Sequence, residues 1–172
     1  MTSKSKIKGS SYERDVAKFL SVHYGETFIR NISGSGAYIG GTNSFRKANL
    51  TEAMIRHAKG DVVPPESFNL LNIECKSYGS LEFHQLLNEC KQLEAWLQQL
   101  MDASDETDVN ILFFKITRRG QYIAVQATEP WDSGDNYICY TSAKLGKWMI
   151  YDFDNFFKLN SNLLKQLSNP VK

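Results

Sequence analysis

The sequence predicts an α/β protein with a mixed central β-sheet flanked by helices. Three observations carry that prediction. Segments with helical apolar spacing alternate along the chain with short runs of β-branched and aromatic residues, so helices and strands interleave. The longest helical stripe, Phe83, Leu86, Leu87, Cys90, Leu93, Trp96, Leu97 and Leu100, lies between two runs that read as strands. The 172 residues, 42% hydrophobic and 23% charged, suffice for one domain with a sizeable core and are too apolar for a disordered chain.

The elements follow in order. The first nine residues, rich in lysine and serine, read as a flexible basic arm ahead of a single domain over residues 10–172. Ser10 stands three residues before Glu13, the spacing of a capping box, and predicts a helix over 11–24 that Gly25 stops. Residues 27–32 read as a strand and 33–42 as a glycine-rich loop. Thr51 caps a short helix to about Ala58. A short strand at 61–63 ends at Pro64-Pro65, and 69–76 form a clear strand. Residues 80–101 are predicted as the longest helix, followed by an acidic loop at 102–108. Residues 109–117 and 122–128 pair as a hairpin across Arg118-Arg119-Gly120-Gln121. Strands at 137–140 and 148–151 precede a last amphipathic helix, capped by Asp154 and running to about Leu167.

Composition excludes several classes. No run of 18 apolar residues exists, and the N-terminus has no apolar signal core, so neither a membrane span nor a secretory leader is expected. Cys75, Cys90 and Cys139 are odd in number and irregular in spacing. Together these predict a reduced intracellular protein, cytoplasmic or nucleoid-associated, a virus-encoded protein in its host cell included.

The net charge of +1 hides an asymmetry. Residues 1–60 carry ten Lys/Arg against four acids, a net of +6, while residues 61–172 carry a net of −5. The basic half is where a polyanion would be met. Its segment at about 40–59 holds Arg46, Lys47, Arg56 and Lys59.

The strand Asn69–Lys76 carries the chemistry. Alternation sends Leu71, Ile73 and Cys75 one way into apolar packing and Asn72, Glu74 and Lys76 the other. A carboxylate and an ammonium thus stand about 7 Å apart along a rigid strand. A surface ion pair would look the same. Asp61 sharpens the pattern: a strand through Asp61, joined through the Pro64–Phe68 turn, sets its carboxylate beside Glu74. Adjacent carboxylates repel unless a cation fills the site, and hard oxygen ligands suit Mg2+ or Mn2+. Such an ion acidifies a water and neutralises phosphate charge, and Lys76 can orient that water. Glu13 is a third acid; Ala17, Leu20 and Tyr24 on its row of the helix turn it inward, although the capping box offers it another role.

Four motifs in order, Lys8-Gly9-Ser10-Ser11-Tyr12-Glu13-Arg14, Ser33-Gly34-Ser35-Gly36, Gly60-Asp61-Val62-Val63 and Ile73-Glu74-Cys75-Lys76, resemble the archaeal-type Holliday junction resolvases of the PD-(D/E)XK superfamily. The resemblance covers about residues 6–100 and implies a restriction-endonuclease-like fold. It implies that Glu13, Asp61 and Glu74 bind Mg2+, with Mn2+ as a substitute, and that Lys76 assists the attacking water. Ser33 or Ser35 matches the loop serine near the scissile phosphate; Ser35 is placed with the catalytic residues and Ser33 with the DNA contacts. Lys6, Lys8, Arg14, Arg46, Lys47, Arg56 and Lys59 are the further candidate DNA contacts. The resemblance also implies a homodimer acting on branched DNA, with no role at a membrane. Gly60 replaces the motif's proline, residues 40–59 are inserted, and the chain after Met101 is longer than in the resolvases. Two alternatives remain: another endonuclease of the superfamily, nicking, repair or sequence-specific, or a non-catalytic DNA-binding protein on the same scaffold.

Overall fold

The computed structural model describes residues 3–32, 42, 45 and 48–169. Helix α1 (Ser3–Tyr24) leads to strand β1 (Ile29–Arg30), helix α2 (Glu52–Ala58) and strand β2 (Val62–Val63). Strands β1 and β2 pair antiparallel, with Ile29 opposite Val63. A 3-10 turn at Glu66–Phe68 precedes β3 (Leu71–Tyr78), and a second at Phe83–Leu87 precedes α3 (Lys91–Asp102). Then follow β4 (Val109–Ile116), β5 (Gly120–Gln126), β6 (Tyr137–Ser142), β7 (Gly146–Asp152) and α4 (Phe153–Ser168).

Five of these strands form one sheet in the order β3-β4-β5-β7-β6. β3 and β4 are parallel, with Glu74 opposite Leu112, and α3 is the crossover between them. All other neighbours are antiparallel, so the sheet is mixed as the sequence predicts. Alternation along β4 explains its unbroken apolar run Ile111–Phe114. Ile111 and Phe113 join a core under α1 and α4, with Leu20, Phe68 and Phe156. Leu112 and Phe114 join a second core under α3, with Leu93, Trp96, Leu97 and Leu100. Both faces of the sheet are therefore covered, as its parallel part requires. Each large side chain fully buried there contributes about 1.5–3 kcal/mol of transfer free energy. Trp131, Trp148, Tyr151, Phe153, Phe156 and Phe157 all lie in these cores.

Several boundaries differ from expectation. α1 starts at Ser3, so residues 3–9 of the expected arm lie in a helix. Lysine is a good helix former, and the turns after Ser11, anchored by buried Tyr12, Val16 and Leu20, provide a nucleus from which the helix extends backwards. Ser10 consequently lies inside α1, and the capping box does not form. Gly25 ends the helix as predicted, in a left-handed conformation with φ of 68°. The expected helix at 80–101 is instead a 3-10 turn and α3, separated at Asn88–Cys90. Here the Cys90 N–H donates to the Tyr140 hydroxyl at 3.2 Å rather than continuing a helical ladder. Both pieces still turn the stripe inward, apart from exposed Leu87, which is why the apolar spacing runs through the break. α1, with 22 residues, exceeds α3 in length. The cap of α4 is Asp152 rather than Asp154: its carboxylate accepts from the Asp154 and Asn155 N–H groups.

Candidate active site

β3 is an edge strand of the large sheet, so its outer side offers unpaired backbone groups. The segment leading into β2 covers that edge. The Asp61 N–H donates to the Ile73 carbonyl at 2.8 Å, and the Cys75 N–H donates to the Asp61 carboxylate at 2.8 Å. Asp61 is thereby fixed against β3 by its own backbone and by its side chain. Gly60 makes this approach possible. It has φ of 57°, and a Cβ there would lie 2.3 Å from the Ile73 carbonyl oxygen. A proline, whose φ is locked negative, cannot occupy this turn. Asn31 staples the same turn, its side-chain amide donating to the Gly60 carbonyl at 3.0 Å and to the His57 carbonyl at 2.9 Å.

Glu74 faces away from the α1 core, as alternation predicts, and lies within electrostatic reach of Asp61. Both acids are buried, at 6% and 2% exposure, which excludes an ordinary surface ion pair. The Lys76 ammonium donates to Glu74 Oε1 at 2.5 Å and to Gln99 Oε1 of α3 at 2.7 Å. Burial holds the Asp61 carboxyl well above the usual carboxylate range, with the neighbouring Glu74 charge adding to the shift and the Cys75 N–H opposing it. Burial likewise raises Glu74, against the pull of Lys76. Between them Cys75 is buried, its thiol pushed up first by burial and then by the Asp61 charge, so it is an inert apolar filler rather than a nucleophile.

Glu13 stands at the rim. Its carboxylate accepts from the Arg30 guanidinium at 2.6 Å. Its charge raises both Asp61 and Glu74, so it lies within electrostatic reach of the pair. Among the described residues, however, no three acidic, histidine or cysteine side chains gather as a ready metal-binding group. The expected ligand trio is therefore present as a pair with Glu13 turned to Arg30. Arg30 pairs with this third acid, whose charge still adds to the repulsion at Asp61 and Glu74.

The remaining candidates divide. Arg14 is exposed on α1, close in sequence to Glu13. Lys6 and Lys8 lie on α1 and Arg56 on α2. Ser33, Ser35, Arg46 and Lys47 lie outside the described residues. Lys59 requires a correction. Expected as a DNA contact, it is turned inward, its ammonium 2.5 Å from Asp108 and 2.7 Å from Asp105. Two acids of the loop before β4 neutralise it. Gln99 of α3 also reaches the site, accepting from the Lys76 ammonium. Sequence reasoning missed it, as it missed Arg30 and Asn31. The one available signal for Gln99 was its polarity beside Leu100 on a helix crossing the Glu74 face.

A family model described as phage putative PDDEXK endonuclease matches residues 4–166. The chain belongs to this family. It is accordingly an endonuclease of the PD-(D/E)XK superfamily, with the mixed restriction-endonuclease-like sheet expected for one. The match takes in the region after Met101 that the resolvase resemblance left uncovered, and it coarsens that resemblance to the superfamily. Searches of curated proteins and of solved structures found no match. Nucleases of this superfamily typically use divalent metals. The residues present fit such an ion: two buried carboxyls share a site they cannot both occupy ionised without a cation, and oxygen donors suit a hard one. No helix among the described residues is long and apolar enough to cross a membrane.

Proposed function

We propose that the protein is a Mg2+-dependent DNA endonuclease that cuts four-way junctions as a homodimer. The observation that carries the metal-dependent reading is the buried Asp61–Glu74 carboxyl pair with Lys76 hydrogen-bonded to it. Asp61 and Glu74 would hold the ion. When bound, it supplies an acidified water and neutralises charge on the phosphate. The chain's own groups do the rest. The Cys75 N–H and the Gly60 turn keep the Asp61 carboxylate aimed at Glu74. Gln99 and Glu74 orient the Lys76 ammonium, which stabilises the developing negative charge of the pentacovalent phosphate. Arg30 holds Glu13 at the rim. Burial of the pair excludes bulk water from its inner side.

The junction reading rests on the order of the four motifs and on symmetry. Two matched nicks across a two-fold substrate call for two matched sites, which a C2 dimer presents. The Lys-rich start of α1 and exposed Arg14 would meet phosphates without reading sequence.

The test is cleavage of a labelled four-way junction beside a matching linear duplex, in Mg2+ or EDTA, with wild type and Glu74→Gln. Paired nicks confined to the junction, lost in EDTA and in the variant, support the whole reading. Equal cutting of both substrates keeps the nuclease and removes the junction. Binding without cutting under Mg2+ and Mn2+ alike would overturn the catalytic reading in favour of a DNA-binding protein.

A further inference from the structure

Lys115, Arg118 and Arg119 stand within five residues at the tip of the β4–β5 hairpin. The tip is a tight turn, closed by the Arg119 N–H donating to the Ile116 carbonyl at 2.9 Å. Arg118 is the one non-glycine residue at positive φ among the described residues, at 63°. Glycine or asparagine adopts that conformation most easily. An arginine there is strained. Arg118 and Arg119 are exposed, and neither side chain enters an ion pair or hydrogen bond among the described residues. Arg30, Lys59 and Lys76, by contrast, are each matched to an acid. Strain without a structural return points to a partner outside the chain.

The tip is placed relative to the candidate active site. Lys76 is opposite Phe114 in the parallel ladder, and both the N–H and the hydroxyl of Thr117 donate to the Tyr78 carbonyl, at 2.9 and 3.1 Å. The turn is thus pinned to the end of the strand that carries Glu74 and Lys76, about 10 Å beyond Lys76 at the usual rise along a strand. Lys115 points to the α1 side, its ammonium 5.9 Å from the ring of Tyr12, next to Glu13 in the chain. A hollow of about 400 Å³ lies between the three cations and the start of α4. Asp152 and Asp154 also line it, but Asp152 is committed to capping α4. Arg119 borders a second hollow with the loop after β3, where Glu82 lies beside His84.

We propose that this hairpin tip is a phosphate clamp for the DNA duplex, gripping the backbone a few nucleotides from the scissile phosphate. The proposal rests on the endonuclease reading above and adds the surface that positions its substrate. About 10 Å corresponds to roughly three steps of duplex at 3.4 Å each. Guanidinium groups suit phosphates because their planar donor forks engage two oxygens at once. A rigid turn holds two of them in a fixed direction.

The test is the double variant Arg118→Gly with Arg119→Ser in the full chain. Glycine adopts the turn freely, so the melting temperature should not fall. Binding of a fluorescent duplex is measured by anisotropy in EDTA across a salt series. Two lost phosphate contacts should lower the slope of log affinity against log salt by about 1.8 and weaken low-salt binding about 10- to 100-fold. Arg118→Lys with Arg119→Lys should restore most of the slope. Lys147→Ala, at the opposite end of the sheet, should leave it unchanged. Wild-type cutting with an unaltered slope in the double variant would overturn the clamp and leave the endonuclease reading standing. An equal loss in Lys147→Ala would also overturn it. A wild-type protein that neither binds nor cuts DNA would sink both.

Discussion

Asp61→Asn should stabilise the metal-free protein above neutral pH while abolishing hydrolysis. The ordinary carboxylate titrates near pH 4 in an unfolded chain. In the folded protein burial and mutual repulsion hold Asp61 and Glu74 above that value. Between the two values the folded state binds more protons than the unfolded one. Stability is therefore greatest below the unfolded value and falls as pH rises toward the raised folded value. Each pH unit over which one such proton is held withdraws about 1.4 kcal/mol. Two units withdraw about 3 kcal/mol, which for a chain of this size lowers the melting temperature by roughly 6–12 °C. Asparagine keeps the size of Asp61 and an acceptor for the Cys75 N–H, and carries no charge. The assay is thermal melting in EDTA at pH 5, 6, 7 and 8. Wild type should lose stability across the series, and Asp61→Asn should lose less and melt higher at pH 8. Added Mg2+ should stabilise wild type more at pH 8 than at pH 5 and the variant little at either. Parallel declines of the two proteins would refute the reasoning.

The other perturbations separate geometry from charge. Gly60→Ala introduces a methyl 2.3 Å from the Ile73 carbonyl oxygen at a φ of 57°. It should cost about 3 kcal/mol or more and reduce cleavage with no acid removed, read by melting and by initial rates. Lys76→Gln should slow cleavage about 10²- to 10³-fold while leaving duplex affinity within about threefold, which places Lys76 in the chemistry rather than in binding.

The legible part of the site was the part set by local geometry. Alternation along Asn69–Lys76 placed Glu74 and Lys76 on one face because strand side chains have a period of two. The Gly60-Asp61-Val62-Val63 segment gave the second carboxylate because it leads into a strand. The partners were less legible. Arg30 meets Glu13 across 17 residues of chain through the β1 edge, and no local period encodes that contact. Gln99 reaches Lys76 only because the chain breaks at Asn88–Cys90 and restarts as α3, and a tertiary bond from Cys90 to Tyr140 sets that break. Lys59 misled because charge in a basic segment says nothing of direction, and Asp105 and Asp108 claim it. The reversed expectation about residues 3–9 has the same root: serine and lysine suit a mobile arm or a helix, and the neighbouring turns decide.

The carboxylate of Asp61 has two opposed roles in the free protein, and a second substitution separates them. Its negative charge is costly beside Glu74. Its oxygen is useful, because it satisfies the Cys75 N–H on the outer edge of β3. Asparagine removes the first and keeps the second. Asp61→Ala removes both. A buried amide left without an acceptor costs about 1–3 kcal/mol. At pH 5 the pair holds its proton, so removing the charge returns little and the orphaned amide dominates. Asp61→Ala should then melt below wild type by roughly 2–12 °C. At pH 8 relief of the charge offsets that loss, and the gap should narrow or close. The two variants should therefore part company in stability at every pH while being equally inactive. Equal melting temperatures for Asp61→Asn and Asp61→Ala at pH 5 would show that the Cys75 N–H finds another acceptor and that the strand edge does not depend on this carboxylate.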